Sequence, residues 1–237
     1  EFVREFRTDL KPLDIVQPEG PSFQVNGHEV SWQKWNLRIG FTQREGLVLH
    51  NISYHDKGRQ RPIINRAALS ELVVPYGDPG KTNFRRNFFD IGEEGIGILT
   101  NSLALGCDCL GEIYYFDATL SDSRGGVMSI TNAICMHEED VGILWKHVDS
   151  HTGQTEVRRS RRLVISSVAT AGHYDYGFFW YFYQDGSIEY QVKLTGILGT
   201  AAVPPDEVPK YGTLIAPQLN ALNHQHFFSM RLDMSVD

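Results

Sequence analysis

Apolar residues recur at every second position through much of the chain. Trp35, Leu37, Ile39 and Phe41 form one such series, and Val48, His50, Ile52 and Tyr54 form another. A period of two places each series on one face of an extended segment, so the pattern predicts antiparallel strands with one buried face. Two turn signals divide such runs. Asn26-Gly27 separates Phe23-Gln24-Val25 from Val30-Ser31-Trp32, and Asp185-Gly186 separates the aromatic run Phe178 to Tyr183 from Ile188 to Val192. Each predicts a tight hairpin whose two central positions take positive φ. The spacing predicts a single short helix, over Arg66 to Leu72, ending before Pro75. The polar stretches Ala201 to Lys210 and Leu120 to Ser129 read as surface loops, and Phe227 to Asp237 as a strand about to turn. No repeat or low-complexity tract divides the chain, which reads as one domain with residues 1–16 as a linker.

Composition agrees with a packed fold. The 237 residues are 41% hydrophobic, which suits an ordinary globular core, either one large domain or part of a larger one. No apolar run is long enough to cross a bilayer, and Glu1-Phe2-Val3-Arg4 lacks the pattern of a signal peptide, so no membrane partner is expected. A formal charge of −7, with one dense basic run at Arg158-Arg159-Ser160-Arg161-Arg162, argues against nucleic acid. That run reads as a solvated strand edge or loop. Three cysteines, Cys107, Cys109 and Cys135, allow one bridge and one free thiol.

The sharpest candidate for metal chemistry is Asn223-His224-Gln225-His226. Histidines two apart on a strand project from one face and can hold one ion together, copper or zinc by ligand type. The same spacing also arises by coincidence on a surface or in a core. Cys135-Met136-His137-Glu138-Glu139-Asp140 is a rival ligand cluster, with a solvated acidic turn as the other reading. Thr170-Ala171-Gly172-His173-Tyr174-Asp175-Tyr176-Gly177 sets a tyrosine between a histidine and an aspartate, yet periodicity does not choose between Tyr174 and Tyr176.

Taken together, these blocks resemble the copper amine oxidases, nearest to bacterial and fungal members. The segment Thr170 to Tyr176 is similar to the family motif whose tyrosine becomes topaquinone, and His224-Gln225-His226 to its copper pair. Asn87-Phe88-Phe89-Asp90-Ile91-Gly92, Val74-Pro75-Tyr76-Gly77-Asp78, Cys107-Asp108-Cys109-Leu110-Gly111 and Cys135 to Asp140 match further blocks in order and separation. The resemblance implies an all-β fold, the first part of a large antiparallel β-sandwich, completed by the remainder of the catalytic domain and assembled as a homodimer. It implies oxidative deamination of a primary amine by dioxygen, giving aldehyde, ammonia and hydrogen peroxide.

By the same resemblance, Tyr174 is the topaquinone precursor that forms a Schiff base with the amine, and Asp90 accepts the substrate proton. Tyr76 hydrogen-bonds the quinone, and Phe88 is a channel gate or a packed core phenylalanine. His224 and His226 bind copper, with the family's third histidine far downstream. Asp233 and Met234 match part of a peripheral calcium site, in which Ser235 replaces a carboxylate. Cys109 pairs with Cys135, leaving Cys107 free. Position 173 departs from the pattern, which has asparagine where this chain has His173. The competing functional reading is a non-catalytic relative that keeps the fold as a metal-binding scaffold.

Overall fold

The computed structural model describes residues 7–81 and 83–235, so the expected linker at 1–16 and the last two residues fall partly or wholly outside it. Residues 7–16 are exposed and form neither strand nor helix. Strands β1 (Gln24–Asn26), β2 (Glu29–Trp32), β3 (Trp35–Thr42), β4 (Gly46–Asp56) and β5 (Arg59–Pro75) run as an antiparallel meander, with the short β6 (Asn87–Phe89) beside the end of β5. A second meander contains β7 (Tyr114–Ser121), β8 (Val127–Val148), β9 (Thr155–Ala171), β10 (Tyr174–Tyr183) and β11 (Ile188–Gly196). A small sheet of β12 (Thr200–Ala202), β13 (Gly212–Ala216) and β14 (Leu219–Leu222) follows. Finally β15 (Phe227–Met234) returns to pair with β5.

The alternating positions explain why the two meanders face each other. Trp32, Trp35, Leu37, Ile39, Leu49 and Ile52 from the first pack against Phe116, Ile134, Met136, Leu163, Trp180 and Phe182 from the second. Each side chain of this size contributes roughly 1.5–3 kcal/mol when fully buried, so the interface dominates the stability of the fold. The all-β expectation holds.

Three local expectations change. Arg66 to Leu72 is not a helix but the middle of β5, paired to β4 on one side and β15 on the other. Ala67, Ala68, Leu69 and Leu72 are buried there. A strand flanked on both edges and packed on its faces reads as a nearly continuous apolar run, and this burial overrides the helical preference of alanine and leucine. In the hairpins only one turn residue takes positive φ, Gly27 in the first and Gly186 in the second. The first turn is centred on Gly27-His28, since Asn26 already pairs with Glu29. The loop expected over Leu120 to Ser129 shrinks to residues 122–126, where the Asp122 carboxylate accepts the N–H groups of Arg124 and Gly126.

The acidic cluster around His137 is also not a solvated turn; it lies within β8. Its register against β9 sets Glu138 opposite Leu163, Glu139 opposite Arg162 and Asp140 opposite Arg161. Arg159 pairs with Asp140, Arg161 lies 3.6 Å from Glu138, and Arg162 lies 2.6 Å from Glu139. The basic run is thus a strand in which Arg159, Arg161 and Arg162 are answered by acids of the neighbouring strand and Arg158 by Glu156 of its own. Cys109 and Cys135 form a disulfide that ties the segment before β7 to β8, and Cys107 is free and exposed.

Candidate active site

Four segments far apart in sequence meet at one end of the two meanders. The end of β5 supplies Tyr76, and the segment after β14 supplies His224, which forms an isolated antiparallel bridge with Tyr76. Two backbone bonds fasten that junction: Gly77 N–H to Asn223 O at 2.9 Å, and Gln225 N–H to Pro75 O at 3.2 Å. A single π-helical turn, Asp90–Glu94, follows β6. The turn between β9 and β10 contributes His173 and, at the first position of β10, Tyr174. Ala171 pairs directly with Tyr174, so Gly172 and His173 form a two-residue hairpin loop. Gly172 has φ +64°, which is why a glycine opens that turn.

Asp90, Tyr76, Arg86, Phe88, His173 and Tyr174 line a cavity of about 150 Å³. Asp90 is only 8% exposed, so it is not the loop aspartate a surface reading would give. Its turn is held by Glu71, whose Oε1 accepts the N–H groups of Ile91 at 3.2 Å and Gly92 at 3.0 Å. Burial, then the neighbouring carboxylates Glu94, Glu93 and Glu71, push the Asp90 pKa up to about 6. Such a carboxyl is a competent proton acceptor near neutral pH. Phe88 is exposed on its short edge strand and is not packed in the core. It meets the Tyr76 ring edge-on at 6.0 Å, and the Arg86 guanidinium lies 4.4 Å from the Tyr76 centroid.

The Tyr174 hydroxyl is held by a backbone donor. It accepts the Gly199 N–H at 3.0 Å, and the Tyr76 hydroxyl lies beside it on the same side of Gly199. Burial, and then the neighbouring Tyr174 hydroxyl, push the Tyr76 hydroxyl up to about 12, so Tyr76 keeps its proton and can donate. On the other side of the Tyr174 ring is a second cavity of about 230 Å³, lined by Tyr176, Thr195, Leu198, His224 and His226. Tyr174 lines both cavities and stands between the acid and the imidazoles.

The imidazole rings of His224 and His226 lie 4.9 Å apart. His224 Nδ1 is 2.8 Å from Leu222 O, and a carbonyl can only accept, so Nδ1 carries the proton and Nε2 carries a free lone pair. His226 Nδ1 lies 3.0 Å from the Tyr176 hydroxyl; donating there frees its Nε2 in the same way. Burial, and then His224, lower the His226 pKa, which favours the neutral ligand form. The donor set fits a metal that prefers imidazole, copper among them. Among the described residues no third cysteine, histidine, aspartate or glutamate joins the pair.

Elsewhere, Asp233 and Met234 lie at the end of β15, and among the described residues no group of metal-ligating side chains forms around Asp233. The three-residue group Cys109, Cys135 and His137 has both sulfurs in the disulfide. Sequence reasoning overlooked Glu71, Arg86 and Gly199, and weighed Tyr176 only as the alternative to Tyr174, not as the partner of His226. None carries a local signal, because each acts through a contact with a distant segment.

The chain matches the family model "Copper amine oxidase, enzyme domain" over residues 24–237. The chain belongs to the copper amine oxidase family. It is 57% identical over 98% of its length to N-methylputrescine oxidase 1, peroxisomal, of Nicotiana tabacum, covering 29% of that protein. It is 56% identical over its whole length to a primary amine oxidase of Arthrobacter sp. (strain P1), covering 37% of it. Among solved structures, a copper-containing benzylamine oxidase from Hansenula polymorpha superposes with a TM-score of 0.91 at 43% identity, over 99% of this chain and 36% of that one. The chain therefore spans about a third of the length of such copper amine oxidases.

Proposed function

We propose that this chain carries the amine-oxidising centre of a copper-dependent primary-amine oxidase, with Tyr174 as the precursor of topaquinone. The observation that carries the reading is the ring of Tyr174 set between a buried carboxyl of raised pKa and a pair of imidazoles with free lone pairs. His224 and His226 would hold the copper through Nε2, and a further ligand from outside these residues would complete the site. Copper and the quinone, once formed, supply the electron-accepting centre that takes electrons from the amine and passes them to dioxygen.

The remaining work falls to side chains of this chain. Asp90, ionised above about pH 6, removes the α proton of the amine, releasing the electron pair that leaves the substrate. Tyr76 and the Gly199 N–H fix the oxygen of the Tyr174 ring as preorganised donors. Phe88, exposed at the cavity mouth, is placed to act as a gate. The overall reaction converts a primary amine, dioxygen and water to aldehyde, ammonia and hydrogen peroxide. The rest of the enzyme and a second subunit would complete the substrate channel.

The test is to load the metal-free protein with copper in air and titrate it with phenylhydrazine. A coloured adduct in wild type, lost in Tyr174→Phe, is the expected result. A copper-loaded protein that stays colourless overturns the reading and favours a metal-binding scaffold.

A further inference from the structure

Asp90, the proton acceptor of the scheme above, sits on a single π-helical turn that follows a three-residue edge strand. So short a turn has little stability of its own. Within it, Gly95 N–H donates to Asp90 O at 3.1 Å, and Phe89 N–H to Glu93 Oε2 at 3.1 Å.

Two other elements grip the turn. From β5, Glu71 Oε1 accepts three backbone N–H groups, those of Leu72 at 3.0 Å, Ile91 at 3.2 Å and Gly92 at 3.0 Å. Two of these donors directly follow Asp90, so the carboxylate fixes the backbone that carries the acid. N–H bonds to a carboxylate are roughly twice as strong as those between neutral groups. A Cβ built on Gly92 would lie 2.6 Å from Glu71 Oε2, so a glycine is what admits the carboxylate there. From the other side comes the connection between β3 and β4. Arg44 O accepts the N–H of the buried Ile96 at 2.9 Å, and a Cβ on Gly95 would lie 2.7 Å from Gln43 O. Arg44 Nη2 lies 3.7 Å from Glu71 Oε2, which joins the two grips.

We propose that Glu71 is a positioning residue for Asp90 in proton removal, acting through Oε1, with the β3–β4 connection as the opposing support. The inference rests on the reading of Asp90 as the proton acceptor and adds what places its carboxyl at the substrate. Proton transfer from carbon is steep in distance, and a misplacement of about 1 Å costs about 10²-fold in rate. Without the Glu71 oxygen the Ile91 and Gly92 amides lose their acceptor and the turn drifts, while contacts that bind the amine elsewhere in the cavity are kept.

The experiment uses the full-length enzyme. In Glu71→Ala, anaerobic stopped flow should show the amine-dependent reduction slowed about 10–100-fold at saturating amine, with the KM for amine and the amplitude per copper close to wild type. A loss of packing alone would lower the amplitude and leave the rate constant of the surviving sites. Glu71→Gln keeps a carbonyl oxygen as acceptor and should recover most of the rate. In the metal-free form, hydrogen–deuterium exchange over residues 90–95 should be faster in Glu71→Ala and near wild type in Glu71→Gln. Should Glu71→Ala not yield folded enzyme, Gly92→Ala, whose added methyl displaces the carboxylate, takes its place with the same expectations. A wild-type rate constant in the alanine variant overturns the proposal, as does a glutamine variant as slow as the alanine variant or unchanged exchange over residues 90–95. A wild type with no amine-dependent reduction overturns the proton-acceptor reading instead, and the exchange then still decides whether Glu71 holds the turn.

Discussion

Two histidine clusters in this chain resemble one another as residue lists and differ in which atoms are free. His137 sits in β8 with Nδ1 3.5 Å from Cys135 Sγ and Nε2 3.3 Å from Glu139 Oε1. Both ring nitrogens are occupied, both nearby sulfurs are in a disulfide, and Glu139 is committed to Arg162. His224 and His226 each spend only Nδ1, on Leu222 O and the Tyr176 hydroxyl. The first cluster is saturated and holds strands together, whereas in the second both Nε2 atoms are unengaged and both residues line a cavity. Metal competence is decided by donor availability, not by the presence of histidine beside acid or thiol.

The largest expected effect tests that contrast directly. His226→Ala should abolish stoichiometric copper retention after dialysis, and His137→Gln should leave copper content unchanged while lowering the denaturation midpoint. Copper loss in the His137 variant would break the comparison. Next comes Asp90→Asn, which should slow the amine-dependent reduction step by about 10²–10⁴-fold with copper content intact, measured by anaerobic stopped flow. Tyr176→Phe removes only the group that orients His226 and should weaken copper binding by about 10–100-fold. Replacing Cys135 by serine should cost about 2–4 kcal/mol in chemical denaturation without changing copper affinity.

The smallest effect is a pH dependence of opposite sign in the two regions. Asp90, raised from 3.8 to about 6, binds more protons folded than unfolded between those values. Its contribution to stability is therefore present at low pH and lost as pH rises through about 6. Glu139 is held at about 2, by its hydrogen bond to His137 and then by Arg162, against the ordinary 4.5. Its contribution is present above about 4.5 and lost as pH falls through about 2. Asp90→Asn should flatten the stability profile between pH 4 and 6, and Glu139→Gln the acid limb below it; urea titrations across pH check both.

Period-two alternation made the sheets legible, since Trp35, Leu37 and Ile39 are buried and Asn36 and Arg38 between them are exposed. It failed at Arg66 to Leu72, where neighbours on both edges of β5 turn a helical-looking run into a central strand. The acids after His137 were illegible for a related reason. Glu138 is buried because the Trp32 indole N–H, Gln17 and Ser22 reach it from over a hundred positions away. At the candidate site, motif blocks named Tyr76, Asp90, Tyr174 and the histidine pair. Glu71, Gly199 and the contact of Tyr176 with His226 emerged only from the way distant segments meet.

The return of β15 to β5 has a consequence for the order in which the protein takes shape. Partners in that pairing, such as Ser70 and Ser229, are 159 positions apart, and the Tyr76–His224 bridge depends on the same closure. Contacts of such long range form late and slowly, after the local meanders have condensed. During synthesis both meanders are therefore made before β15 exists, so the junction of Tyr76 with His224 is among the last parts of the described fold to close.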